Sequence, residues 1–241
     1  EGNVTLNDDA NTVIQAADIT TIEGDTTGTI TVQNKIDIEG TPSQVDAAFD
    51  DVNTFSADTN ADVTLTSDPT LAQLVSINDA ISGTITLQGT QNYGQALSGS
   101  TADVKAALAG TFAATYTGDV TLTDAADVVI QATDITTIKG DTTGDITVSH
   151  NMHIKGTSDE VVTAVGHVDT FSGTPTVSLD DAHDLAELKT INDAISGTIT
   201  LNDYTVHLSG STADVKAALD GTFAEDYEGN VTLNDAADVV I

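Results

Sequence analysis

Leu97–Leu108 reads LSGSTADVKAAL, and Leu208–Leu219 reads the same letters in the same order. Ile77–Leu87, INDAISGTITL, returns unchanged at Ile191–Leu201. Val4-Thr5-Leu6 recurs as Val120-Thr121-Leu122 and again as Val231-Thr232-Leu233. The chain is therefore a tandem array with a period of 111 to 116 residues. Residues 1–117 form a first long repeat, 118–228 a second, and 229–241 the opening of a third. Such a period means that one supersecondary unit is repeated, and that neighbouring units bury a face none could bury alone.

Each long repeat is itself a degenerate pair. Ile19–Val32 (ITTIEGDTTGTITV), Leu74–Leu87 (LVSINDAISGTITL), Ile135–Val148 (ITTIKGDTTGDITV) and Leu188–Leu201 (LKTINDAISGTITL) align without gaps. The structural unit is then about 55 residues, with half-units at about 1–60, 61–117, 118–174 and 175–228.

After each of these segments comes a helix-opening signature. Ser100 and Ser211 begin S-T-A-D, Thr157 begins T-S-D-E, and Thr41 begins T-P-S-Q with Pro42 at the first helical position. A hydroxyl at the cap with an acid or amide three residues on satisfies orphan N–H groups reciprocally. Apolar residues follow at helical spacing: Val45, Ala48, Phe49, Val52; Val104, Ala107, Leu108, Phe112; Val161, Ala164, Val165, Val168; Val215, Ala218, Leu219, Phe223. Gly110 and Gly221 stand where glycine ends a helix. The Val-Thr-Leu and Ile-Thr-Leu/Val triplets alternate and are β-branched, which predicts short strands with Thr outward. Thr205-Val206-His207-Leu208 reads as another. The run Leu185, Leu188, Ile191 predicts a short helix, and its Thr-rich counterpart in the other half-unit a turn or helix. The expected fold is an α/β repeat protein of stacked β-(α)-β-β-α units forming a solenoid or rod. A string of separate small α+β domains is the competing architecture.

The charge balance limits partners. Thirty-eight acids face six lysines and no arginine, for a formal charge of −32. Phosphate backbones are held by Lys and Arg, so nucleic acid and anionic membrane are excluded as partners. Cysteine is absent, which removes disulfides, thiolate metal sites and Cys nucleophiles. No apolar run is long enough for a membrane-spanning helix. Glu1-Gly2-Asn3-Val4 reads as the interior of a longer array, since it is neither an initiator Met nor a signal peptide.

Candidate sites are few. Gly24-Asp25-Thr26-Thr27-Gly28 and Gly140-Asp141-Thr142-Thr143-Gly144 resemble phosphate loops, but no Lys follows in the Walker position, so a plain turn is expected. His150, His153, His167, His183 and His207 all fall in the second long repeat. Aligning His150 and His153 with Gln33 and Ile36 points to drift on a solvated surface, because a zinc site built by the repeat would appear twice. The acid pairs Asp8-Asp9, Asp50-Asp51 and Asp180-Asp181 suit Ca²⁺, and Asp8, Asp9, Asp180 and Asp181 are the metal candidates. Neither the Gly-Gly-x-Gly-x-Asp nonapeptide nor an EF-hand loop occurs, which favours solvated acids and no cofactor. No serine or threonine has a histidine at matching positions of both repeats, so no enzyme is expected.

Leu97–Leu108 with Tyr116–Leu122, and Leu208–Leu219 with Tyr227–Leu233, resemble repeats of giant surface proteins of marine bacteria, cyanobacteria among them. The resemblance is one of repeat style and covers nearly the whole chain. It implies a secreted, cell-surface protein with adhesion, surface-layer or motility roles. The expected function is a structural spacer in a large extracellular or filament-forming protein. Its partners would be neighbouring repeats, with lateral or end-to-end self-assembly. The alternative is an adhesin-like module holding carbohydrate or a partner protein on exposed Thr/Asp rows. Thr5, Thr31, Thr64, Thr86, Thr121, Thr147, Thr200 and Thr232 keep such a row, but Ser178 breaks it, which favours the spacer.

Overall fold

A computed structural model describes residues 2–55 and 61–236, so the last residues of the third repeat, 237–241, lie outside the described chain. The elements run β1 (Val4–Leu6), β2 (Val13–Gln15), α1 (Ala16–Asp25), β3 (Ile30–Val32), β4 (Asp37–Gly40), α2 (Pro42–Asp51), β5 (Thr54–Phe55), β6 (Asp62–Leu65), α3 (Leu71–Ala80) and β7 (Thr84–Leu87). Then follow β8 (Leu97–Gly99), α4 (Thr101–Leu108), β9 (Thr111–Phe112), β10 (Val120–Leu122), β11 (Val129–Gln131), α5 (Ala132–Asp141), β12 (Ile146–Val148), β13 (His153–Gly156) and α6 (Ser158–His167). The order closes with β14 (Thr170–Phe171), β15 (Thr176–Leu179), α7 (Leu185–Ala194), β16 (Thr198–Thr200), β17 (Leu208–Gly210), α8 (Thr212–Leu219), β18 (Thr222–Phe223) and β19 (Val231–Leu233).

The chain divides into two compact units. Unit 1 is Glu1–Ser98, Ala102–Val120 and Asp141–Gly144, and unit 2 is Gly99–Thr101, Thr121–Gly140 and Asp145–Ile241. In unit 1 one sheet has the order β1-β3-β5 and a second β2-β4-β6-β7-β9. Unit 2 repeats the second as β11-β13-β15-β16-β18. The pairings within each unit are parallel and join residues 22 to 27 apart, such as Val63↔Ile85 and Thr84↔Thr111. The repeating element is therefore smaller than the 55-residue unit read from sequence. It is a strand-strand-helix segment, two of which make each half-unit.

Short parallel strands survive because each contributes one aliphatic residue to a continuous interior ladder. Ile14, Ile38, Val63, Ile85 and Phe112 stand in register in unit 1, and Ile130, Ile154, Val177, Ile199 and Phe223 in unit 2. Helices cover this face: α2 packs on β4 and β6, and α6 on β13 and β15. Helices within a unit also pack on one another, α1 on α2 and α2 on α3 in unit 1, α6 on α7 and α7 on α8 in unit 2. Val45, Ala48, Leu74, Ile77, Val161, Leu188 and Ile191 are buried along these seams. The Thr residues of the triplets lie on the other, more exposed face, as alternation requires.

The capping chemistry is as expected at Thr41 and Thr157, where reciprocal boxes close with Gln44 and Glu160. Further boxes form at Thr70 with Gln73 and at Asp184 with Glu187. Four expectations need correction. The plain turns expected at Gly24–Gly28 and Gly140–Gly144 begin inside a helix, because the Thr-rich run, left open between turn and helix, is a full ten-residue helix in both repeats, α1 and α5. Its threonines back-bond to the preceding turn, Thr21 to Ala17 O at 2.8 Å and Thr137 to Thr133 O at 2.9 Å, while Ile19 and Ile135 face the core. The Gly-Asp of the supposed turn loops thus belongs to the last helical turn. Second, Phe112 and Phe223 leave their helices and pair in strands with Ile85 and Ile199. Third, Gly110 and Gly221 do follow the ends of α4 and α8, but without the left-handed conformation by which glycine commonly stops a helix, since no glycine among the described residues has positive φ. They are needed for closeness, because a Cβ there would collide with the side-chain oxygen of Asn78 or Asn192. Fourth, the strand expected at Thr205–Leu208 sits later, at Leu208–Gly210, where its carbonyl and amide groups meet β19.

Candidate functional site

INDAISG positions one polar side chain identically in both units. Asn78 and Asn192 lie in the last turns of α3 and α7. Asn78 Nδ2 donates to Ala106 O at 3.0 Å and Ala107 O at 2.7 Å, and Asn192 Nδ2 donates to Ala217 O at 2.7 Å. The amide thereby satisfies carbonyls that the end of the neighbouring helix leaves orphaned. Beside it opens a polar cleft, about 200 Å³ in unit 1 and about 530 Å³ in unit 2. Their walls share residues of INDAISG, but Ala109 of the first becomes Asp220 in the second, which pairs with Lys216 at 3.3 Å, and Ala213 and Lys216 line the second cleft as well. Neither cleft is lined by a histidine that might activate Ser82 or Ser196. The polar groups of the walls, Asp79 in the first cleft and Asp193 in the second among them, can accept and donate hydrogen bonds.

The acids have a structural occupation that the sequence reading missed. Carboxylates and amides of one segment accept backbone N–H groups of an adjacent one: Asn53 from Ile30, Asp62 from Thr84, Asp124 from Thr101, Asn151 from Thr174, Asp169 from Ile146, Asp181 from Ser158 and Asp235 from Thr212. The sequence separation is 22 or 23 residues in every case, one segment of the fold. Lysines bridge at similar range, as Lys35–Asp62 and Lys189–Asp214 do, both at 3.0 Å. The recurrence of Asx residues at this offset was the signal available in sequence.

Of the metal candidates, Asp181 is engaged with the Ser158 N–H at 2.7 Å, and Asp180 pairs with Lys155 at 3.3 Å. Asp8 and Asp9 are exposed, and their backbone carbonyls accept from Asn34 and Thr12. Among the described residues no group of three or more His, Asp or Glu side chains converges as a metal site would. No helix among them is long and apolar enough to cross a membrane.

The histidines are not all surface drift. His183 is only 4% exposed, with Nε2 3.1 Å from the Tyr227 hydroxyl, which itself donates to Val206 O at 2.7 Å. Burial lowers its pKa, and Asp203, Asp184 and Asp181 oppose the shift. Its Nδ1 is buried without a partner. The single residue Pro69 precedes the matching helix in unit 1, so nothing there foreshadowed a buried imidazole. His153 begins β13 as Asp37 begins β4, so its counterpart is Asp37, as the gap-free offset of the two repeats also requires, and not the Ile36 aligned with it from sequence. Asp37 stands in register with Asp62 on the outward face. Burial and then Asp62 raise its pKa, against the pull of Lys35. His153 instead meets Thr176 Oγ1 at 2.8 Å.

No family model, curated protein or solved structure matches this chain.

Proposed function

We propose that this chain is a structural, non-catalytic segment of a large secreted cell-surface or filament-forming protein, a solenoid spacer lengthened segment by segment. The observation that carries the reading is the commitment of its polar side chains. Asp and Asn acceptors and lysines, the usual raw material of sites, are spent on joining one segment to the next at a fixed offset in both units. The outward columns support it further. Gln15, Glu39, Thr64 and Thr86 stand in one register, and Gln131, Lys155, Ser178 and Thr200 in its counterpart. A lattice-like ligand needs a repeated column, and these columns change residue type and charge along their length. Extracellular placement rests on the resemblance in repeat style and on a charge that keeps such an array solvated in salt.

Small-angle scattering of the chain beside its tandem duplication tests the spacer. At about 4.8 Å per stacked segment the duplicated array should lengthen by roughly 40 Å at constant cross-section. Two beads tumbling independently would overturn the reading.

A further inference from the structure

In both five-stranded sheets the order of the strands is the order of the chain, β2-β4-β6-β7-β9 and β11-β13-β15-β16-β18. Each sheet is therefore entered at one edge strand and left at the other. Between consecutive strands the chain runs out through a helix and back, 22 to 27 residues at a time, as from Val63 to Ile85 and from Thr84 to Thr111. The rungs are small. Four residue pairs join β4 to β6 and β13 to β15, and only two join β7 to β9 and β16 to β18.

The polar links between segments each cross one joint. Asp62 accepts the Thr84 N–H at 2.8 Å, Gln73 Nε2 donates to Ser43 Oγ at 2.9 Å, Ser158 Oγ donates to Glu187 at 2.9 Å, and Lys189 meets Asp214 at 3.0 Å. The chain has no cysteine, so no disulfide staples one segment to another. Tension carried along the backbone reaches such a sheet across its strands. Hydrogen bonds that lie along the pull open a rung at a time, whereas a sheet pulled along its strands must shear all the bonds of a strand together. Because a segment rests on its neighbours alone, its loss leaves the remaining ladder of buried aliphatics in place.

We propose that the chain is an extensible tether, whose segments leave the stack one by one under tension and return when it falls. This deepens the spacer reading and rests on it. Each departure exchanges a strand spacing of about 4.8 Å for a stretched length of roughly 75 to 95 Å. A protein built this way yields length to a sudden pull before its attachments bear the full load. Return is quick, because closing one rung needs a loop of only 22 to 27 residues. The charge of −32 keeps a released segment solvated until it re-stacks.

Optical tweezers on the full chain, held through handles at its two termini, read this directly. The expected record is a staircase with steps of roughly 70 to 90 Å in contour length, retraced on relaxation. Thr64 and Thr86 stand in register on the outward face of β6 and β7, and with no native thiols an introduced pair there is unambiguous. In T64C/T86C, oxidation should delete one step and leave the others unchanged, and reductant should restore it. If that pair does not close, the staircase of the unaltered chain still decides. A single event that releases a whole unit overturns the proposal, as does an oxidised T64C/T86C chain that keeps every step. The scattering test is separate: lengthening on duplication combined with whole-unit release retains the spacer and removes the tether, while independent beads remove both.

Discussion

Units 1 and 2 share an interior and differ in how they treat the same polar positions. Ile77 and Ile191 are both fully buried at the ends of matching helices, and the ladders beneath them run Ile-Ile-Val-Ile-Phe in each. Above that common core, unit 1 places Asp37 where unit 2 places His153, and Pro69 where unit 2 places His183. Tyr116 and Tyr227 close the two units alike, each donating to a backbone carbonyl, Gln95 O at 2.6 Å and Val206 O at 2.7 Å. Yet only Tyr227 has an imidazole against it, with ring centres 5.8 Å apart. The contrast teaches that stacking constrains the inward residue and the joint acceptors, while positions that serve neither are free to vary. Variation of that kind is what a spacer tolerates and a site does not.

The comparison breaks most readily at its shared core. Ile77→Ala and Ile191→Ala each remove a fully buried side chain and should destabilise by about 3 kcal/mol. The two costs should agree closely, measured by urea denaturation of the full chain with each substitution alone. A large inequality would mean that the units do not bury this seam equivalently.

His183 sharpens the contrast next, because unit 1 has nothing comparable. Its pKa is lowered in the folded chain, so the unfolded chain binds the proton more readily. Its contribution is intact above the ordinary histidine value of about 6.5 and is lost as pH falls below it toward the folded value. His183→Gln should flatten the fall in stability between roughly pH 7 and pH 5. Substituting Pro69 should leave that slope untouched. A slope unchanged by His183→Gln would place the sensitivity among the carboxylates.

How much of this was legible in the sequence follows from what each residue has to satisfy. The inward aliphatics and the Thr41 and Thr157 boxes are local patterns, and local patterns are readable. Helix α1 was obscured because threonine competes poorly for helix in isolation, and only its packing on α2 and β4 favours the helical state. The two-residue Thr-Phe strands were hidden because such a length carries no period, and their register comes entirely from the neighbouring segment. Asp62, Asp169, Asp181 and Asp235 looked like solvated charge or calcium ligands, since sequence gives the acid and not the N–H one segment away. Repetition at that offset was the one clue, and it is a weaker one than identity between long repeats.

The smallest effect is expected at Asp37, and it tests whether the unit 2 solution is the more relaxed. Asp37 lies in register with Asp62, with only Lys35 to offset the repulsion, and Lys35 is already paired with Asp62 at 3.0 Å. A carboxyl whose folded pKa is raised is penalised in its charged form. The penalty is absent below the ordinary value of about 3.9, grows as pH rises through the raised folded value, and is complete at neutral pH. Asp37→Asn should therefore stabilise the chain at pH 7, by a few tenths of a kcal/mol once solvent screening is allowed for. The gain should vanish near pH 4, and added NaCl should shrink it by screening the Asp62 carboxylate. His153→Asp in unit 2 is the reciprocal substitution. It loses the bond to Thr176 Oγ1 without gaining an acid neighbour in register, because Thr176 stands where Asp62 does. If Asp37→Asn destabilises at neutral pH, then the Asp37–Lys35–Asp62 group is a favourable network, and the unit 2 solution is not the more relaxed of the two.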